Sequence, residues 1–72
     1  MDFYLPDDGM AIQVAYTLDN AEQREVRSLM TLAEKTEGVK RLIIVTNEED
    51  RIINKKGWTI EVVPIHKFLL GN

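Results

Sequence analysis

The chain has 72 residues, contains no cysteine and carries a formal net charge of −3. A chain of this length forms one domain at most, disulfides and thiolate metal sites are excluded, and the lone His66 cannot build a histidine cluster. The acidic balance argues against a free-standing nucleic-acid-binding protein, because neutralising phosphates requires basic residues.

The hydrophobic pattern argues against a membrane protein. No apolar run approaches the roughly 18 residues needed to span a bilayer, and no signal peptide opens the chain, so we expect a cytoplasmic location without membrane contact. So short a chain buries a thin core, which leaves two sources of extra stability open. They are oligomerisation and a larger protein of which residues 1–72 would be the C-terminal part.

Residues 2–18 have the pattern of a β-hairpin. A short strand at residues 2–5 precedes the sequence Pro6-Asp7-Asp8-Gly9, which we interpret as a turn rather than a cation site. An alternating run then places two sets of side chains on opposite faces: Met10, Ile12, Val14, Tyr16 and Leu18, against Ala11, Gln13, Ala15 and Thr17. We expect a helix to cover the first set and the second set to be exposed.

Residues 21–37 have the periodicity of a helix. Asp19 and Asn20 are good N-cap residues, and Gly38 is typical of the position after a helix. The apolar positions recur with the spacing i, i+3, i+4, i+7, which predicts a buried stripe made of Val26, Leu29, Met30 and Ala33.

The second half of the chain predicts further strands and a short helix. Residues 41–46 are apolar on both faces, which is typical of a central parallel strand. Residues 51–54 fit either a short strand or a turn, whereas residues 58–63 alternate and read as a strand. Residues 65–70 fit a helix with Ile65, Phe68 and Leu69 turned inward. We therefore predict an α/β fold with a small mixed sheet in the element order β-β-α-β-β-α.

Several short phrases, in this order and spacing, resemble the second half of the PD-(D/E)XK nuclease core. More specifically, the chain is similar to the C-terminal domain of a prokaryotic AAA-type ATPase family. The phrases are Asp2-Phe3, Ile12-Gln13-Val14-Ala15-Tyr16, Arg24-Glu25, Leu42-Ile43-Ile44-Val45-Thr46 and Val63-Pro64-Ile65-His66-Lys67-Phe68-Leu69-Leu70.

The resemblance implies where a metal site would lie. In such nucleases two acids hold a divalent cation that polarises phosphate, and a lysine two residues after the second acid helps to activate water. The matching positions are Asp2, Gln13 and Ala15. Gln13 is a poorer ligand than a carboxylate for a hard cation, and Ala15 has no amine. We therefore predict no catalytic residues, no metal and no cofactor.

Two other polar segments carry weaker functional interpretations. The segment Glu48-Glu49-Asp50 follows the predicted central strand, where α/β proteins often place a metal or another ligand, but we interpret it as a solvated loop. Lys55 and Lys56 with Trp58 could contact nucleic acid by charge and stacking, although Trp58 also suits a core anchor.

The sequence therefore predicts a catalytically inactive nuclease-like module that acts as a protein-interaction or accessory domain of an ATPase-family protein. The expected partner is a second copy or another protein domain, bound at the face formed by Ala11, Gln13, Ala15 and Thr17 or at the edge of the first strand. Alternatives are a nucleic-acid-binding domain, or a metal-dependent nuclease in which Asp2 works with acids from another segment. A structural module unrelated to nucleases is also open. The nuclease core requires the strand containing Gln13 to lie parallel and adjacent to residues 41–46.

Overall fold

The computed structural model describes residues 2–18 and 22–70, with the backbone alone at residues 2 and 3. The chain forms a small mixed α/β domain with a five-stranded sheet and two helices. The elements are β1 (Asp2–Leu5), β2 (Met10–Val14), α1 (Glu22–Lys35), β3 (Arg41–Thr46), β4 (Arg51–Lys55), β5 (Trp58–Pro64) and α2 (Ile65–Leu69). The N-cap residues predicted for the first helix, Asp19 and Asn20, lie outside the described residues.

The strands lie in the order β1-β2-β3-β5-β4. The two outer pairs, β1 with β2 and β4 with β5, are antiparallel hairpins. The inner strand β3 runs parallel to both of its neighbours, β2 and β5. The residues of β3 from Leu42 to Thr46 are all buried, which explains why this strand is apolar on both faces.

The segment at residues 51–54, for which the sequence left a strand and a turn open, belongs to strand β4. A two-residue connection, Lys56-Gly57, joins it to β5, and both connecting residues have positive φ angles of 52° and 84°. Two positive φ angles are the geometry of the tight turn that joins twisted antiparallel strands. The element order therefore contains one strand more than the predicted β-β-α-β-β-α.

The turn at residues 6–9 joins β1 to β2 and is hydrogen-bonded to the residues at the start of β3. Gly9 has a φ angle of +65°, and a Cβ atom there would lie 2.7 Å from the carbonyl oxygen of Gly38. The Gly9 carbonyl accepts hydrogen bonds from the backbone N–H groups of Lys40 and Arg41. The Asp7-Asp8-Gly9 sequence thus forms a turn that requires glycine at its end.

Helix α1 covers the opposite sheet face from the one that the sequence predicted. Its buried stripe is the predicted one, and it packs on Ala11, Leu42, Ile44, Ile60 and Val62. Ile12 lies on the other face, with Ile43 and Val45. The expectation that α1 covers the face of Met10 and Ile12 is therefore wrong. The small side chain of Ala11 leaves room for the larger residues of α1.

Among the residues that the structure describes, α2, with five residues, is the helix that covers the other sheet face. Phe68 packs against Ile12, Ile43 and Val45. Ile65 and Leu69, which the sequence placed inward, are 39% and 75% exposed. Because α2 is little more than one turn long, Phe68 packs on the sheet whereas Ile65 and Leu69 remain exposed. Neither described helix is long and apolar enough to cross a membrane.

Candidate functional site

The backbone brings Asp2 and Gln13 together. Strands β1 and β2 form an antiparallel pair in which Asp2 and Gln13 are Cα register partners. In the nuclease resemblance these are the positions of the first and the second metal-binding acid. Strand β2 in turn lies parallel to β3, with Gln13 opposite Ile44.

The side chain of Gln13 is buried under α1, with only 6% of its surface exposed. Its amide nitrogen donates a hydrogen bond to the carboxylate Oε1 of Glu25, which lies on α1. Its carbonyl oxygen, Oε1, is buried without a hydrogen-bond partner. A buried unpaired amide oxygen costs about 1–3 kcal/mol, which opposes the stabilisation that Gln13 gains from its hydrogen bond to Glu25 and from packing under α1.

Glu25 is the residue of this site that sequence reasoning placed differently. Glu25 belongs to the Arg24-Glu25 phrase of the resemblance, and Arg24 Nε lies 3.6 Å from a Glu25 oxygen. Arg24 is mostly exposed, however, whereas the Glu25 side chain is 13% exposed and reaches the sheet through Gln13. The sequence does contain a signal for this placement, because Glu25 immediately precedes Val26 and therefore lies beside the buried stripe of α1.

The face formed by Ala11, Gln13, Ala15 and Thr17 is not the open surface that the sequence predicted. Ala11 and Gln13 are buried, and Ala15 is half-buried. Thr17 is exposed and donates a hydrogen bond to Glu49. Because α1 lies on this face, the expected exposure is wrong for Ala11 and Gln13, and no partner reaches them without moving the helix.

Gln13 and Ala15 do not fit the two-acid metal site that the nuclease resemblance implies. Gln13 offers a neutral amide that is already bound to Glu25, and Ala15 offers only a methyl group. Among the side chains that the structure describes, at residues 4–18 and 22–70, no three of His, Asp or Glu are grouped so as to hold a metal ion. The chemistry of these side chains therefore supplies neither the two carboxylates nor the amine of the nuclease mechanism.

The acidic segment after β3 has a structural role. The Glu49 carboxylate accepts hydrogen bonds from the Leu18 backbone N–H at 2.9 Å and the Thr17 hydroxyl at 3.0 Å. The bond from Leu18 is the main cause that lowers the pKa of Glu49, and Thr17 and the charge of Arg51 act in the same direction. Asp50 is bound to Lys67 of α2 at 2.7 Å. These contacts fix the chain after β2 and α2 against the loop that follows β3.

The three residues predicted to contact nucleic acid lie together at the β4–β5 turn, where Lys55 and Trp58 are Cα register partners. Lys55 and Lys56 are exposed at the β4–β5 turn, whereas Trp58 is half-buried and packs against the core under α1. The two lysines line a cleft with four residues of α1: Arg27, Met30, Thr31 and Glu34. Arg27 is a third cation that sequence reasoning did not place here, because the cleft forms only when α1 packs beside the turn.

Comparisons of this chain with protein-family models, with curated proteins and with solved structures find no match. The nuclease and ATPase resemblance therefore stays a prediction from the residues quoted for it.

Proposed function

We propose that this chain is a catalytically inactive nuclease-like module that acts through contacts, as an interaction or accessory domain of an ATPase-family protein. The observation that carries the proposal is the state of Gln13. At the position of the second metal-binding acid stands a neutral amide, buried under α1 and bound to Glu25.

The backbone arrangement supports the nuclease-like part of the proposal. The nuclease core requires the strand with the second acid to lie parallel and adjacent to the strand that follows the helix, as β2 lies beside β3. The register pairs Asp2 with Gln13. The two positions that would share a metal are therefore neighbours, although only the first is an acid.

The accessory part of the proposal rests on what the sequence lacks. ATP hydrolysis in such ATPases needs a glycine-rich phosphate loop followed by lysine and serine or threonine, and these 72 residues contain no such motif. Nucleotide chemistry would come from a different domain. This module would then contribute recognition rather than a reaction.

A cleavage assay tests the inactive assignment. The wild-type chain is incubated with Mg²⁺ or Mn²⁺ and single- or double-stranded DNA, beside Asp2→Ala and Glu25→Gln. We expect no cleavage above the buffer rate, because one acid opposite an amide leaves the cation poorly held. Cleavage by the wild type that either substitution abolishes would identify a working site built from Asp2 and Glu25, and would contradict the proposal.

A second candidate function, binding of nucleic acid, is favoured by one observation at the α1 cleft. Arg27, Lys55 and Lys56 line this cleft, and none of them has an ion-pair partner within the described part of the chain. Unpaired cations are available to phosphates.

DNA binding measured over a range of salt concentrations tests this candidate. If the cleft binds phosphates, affinity falls with rising salt, and a Lys55→Glu/Lys56→Glu variant binds more weakly than the wild type. Lys40→Glu is the control, since Lys40 is an exposed lysine outside the cleft. The candidate is rejected if the wild type shows no binding at low salt.

A further inference from the structure

A second cleft adjoins the α1 cleft on the outer surface of helix α1. It has a volume of about 450 Å³, compared with about 300 Å³ for the α1 cleft. The two clefts share Arg27 and Thr31 as lining residues, so they form one continuous depression. The second cleft extends from Arg24 to Lys35, which corresponds to about 16 Å along the helix axis.

The charged side chains that line this depression are mostly positive. Within the described residues they comprise one acid, Glu34, and five bases, which define what is here called the basic groove: Arg24, Arg27, Lys35, Lys55 and Lys56. The chain as a whole is acidic, with 12 acidic and 9 basic residues. More than half of the basic residues therefore line one groove, which gives an acidic protein a local surface that attracts anions.

Four of these five cations are available to an external anion. Arg24 lies 3.6 Å from a carboxylate oxygen of Glu25. The other four cations have no ion pair within the part of the chain that the structure describes: Arg27, Lys35, Lys55 and Lys56. All five residues are exposed. Their charge is therefore free to interact with phosphates from outside the protein.

The backbone at Lys56 is a separate observation that points to a ligand. With a φ angle of 52°, Lys56 is the one non-glycine residue with a positive φ angle among the described residues. Asparagine or glycine suits this position of a tight turn better. Unfavourable backbone conformations are concentrated at functional sites. A lysine at this position keeps a positive charge in the basic groove although it disfavours the turn.

The side chains of the basic groove favour the phosphates of a nucleic acid over its bases. Proteins that bind single strands stack the bases on aromatic side chains. None of the described residues that line the two clefts is aromatic, and Trp58 packs against the core. A duplex keeps its own bases stacked, and its one phosphate per roughly 1.7 Å of axis places about nine phosphates along the groove.

We propose that the basic groove binds double-stranded nucleic acid through its phosphates, without reading the base sequence. This inference rests on the second candidate function, nucleic-acid binding, and it extends the site from the α1 cleft to Lys35 and names the form of nucleic acid. Each cation that contacts a phosphate releases counterions, so the logarithm of the binding constant falls with the logarithm of the salt concentration. With a contribution of about 0.9 per contact, four available cations predict a slope of about −3.6.

Fluorescence anisotropy of a short labelled duplex between about 50 and about 200 mM salt tests the proposal. Lys35→Gln and Lys56→Asn each remove one charge from the basic groove. Each should make the slope less steep by about 0.9 and weaken binding about tenfold at about 50 mM salt. Lys56→Asn suits the turn better than the native lysine, so a loss of binding in this variant is not a loss of folding.

The matched control is Lys40→Gln, which removes the same charge from an exposed lysine that lines neither cleft. Its slope and affinity should equal those of the wild type. If Lys35→Gln and Lys40→Gln change the slope equally, the inference is overturned, because the overall charge of the protein rather than the groove would then attract the duplex.

Competition experiments identify the class of ligand. Unlabelled duplex of unrelated sequence should displace the labelled duplex fully, whereas single strands and poly-glutamate should compete more weakly. Equal competition by poly-glutamate would identify an acidic protein segment as the ligand, and tighter binding of single strands would exclude the duplex, so either result contradicts the inference. A slope that changes in Lys56→Asn but not in Lys35→Gln contradicts the extended site alone, whereas a wild type that does not bind at low salt rejects the second candidate function as well.

Discussion

The side chain of Gln13 is confined by its surroundings. Helix α1 covers it, its amide nitrogen is bound to Glu25, and its oxygen has no partner. Sequence reasoning identified Gln13 as the position that departs from a nuclease. It could not identify Glu25 as its neighbour, since alternation along β2 does not say which face a helix covers.

Replacing Gln13 with glutamate should destabilise the fold. Gln13→Glu removes the donor to Glu25 and places two carboxylates together in a buried position, at a cost of roughly 2–3 kcal/mol at pH 7. Crowding by a like charge raises the pKa of the introduced carboxyl group in the folded state. The stability deficit should therefore be small near pH 4 and should grow as the pH rises towards 7.

Urea denaturation at several pH values measures this deficit. Gln23→Glu is the control, because it makes the same change at an exposed position of α1 and should alter the free energy of unfolding by less than about 0.5 kcal/mol. A Gln13→Glu variant as stable at pH 7 as the wild type would show that this position is more open than the structure has it.

Glu49 should make the stability of the protein depend on pH in the acidic range. Its pKa lies below the ordinary value of 4.5, chiefly because the Leu18 backbone N–H donates to the carboxylate. A lowered pKa in the folded state gives stability that is present above the ordinary pKa and is lost as the pH falls through the lowered value. Glu49→Gln should therefore flatten the decline of stability on acidification.

Thermal unfolding between pH 3 and pH 7 should show this difference, since that interval contains the ordinary pKa of 4.5. The neighbouring exposed residue offers the control, and Glu48→Gln should leave the wild-type profile unchanged. Equal profiles for Glu49→Gln and the wild type would show that the charge of the Glu49 carboxylate does not contribute to the pH dependence of stability.

The sequence patterns predict some helices and strands better than others. Helix α1 follows from the spacing of Val26, Leu29, Met30 and Ala33, and its buried stripe is confirmed. Strand β4 has no such pattern, because its adjacent isoleucines fall on opposite faces, where Ile53 is half-buried and Ile52 is 56% exposed. Strand β4 forms because it pairs with β5, and no local sequence pattern reveals that contact.

The turn between β4 and β5 should accept asparagine better than its native lysine. Lys56 has a φ angle of 52°, a left-handed conformation that costs most non-glycine residues about 1–2 kcal/mol and asparagine less. Lys56→Asn should raise the free energy of unfolding by about 0.5 kcal/mol, because Asn-Gly suits this type of turn.

Chemical denaturation of Lys56→Asn beside Lys55→Asn isolates the effect of the backbone. Both changes remove a lysine, but Lys55 belongs to strand β4 and should gain nothing. If both variants gain the same stability, the loss of positive charge rather than the turn conformation would be responsible.

At the scale of the whole molecule, the two helices cover the two faces of the sheet unequally. A 14-residue helix covers one sheet face, whereas a five-residue helix covers part of the other. The sequence predicted both helices and a mixed sheet, but it assigned the exposed face to the wrong side. Both faces of β3 are apolar, so hydrophobicity alone does not distinguish the face under α1 from the face under α2.

The central proposal is that the position of Gln13, to which the nuclease resemblance assigns a metal-binding acid, is closed by α1 and does not hold a cation. The most direct test is an NMR titration of the isotope-labelled protein with Mn²⁺, which broadens the signals of nuclei near its binding site. We predict that the side-chain amide signal of Gln13 and the backbone signals of residues 2 and 25 broaden no more than those of exposed acidic loops. Selective broadening of these three signals at low Mn²⁺ would place a cation between Asp2, Gln13 and Glu25, and would contradict the proposal.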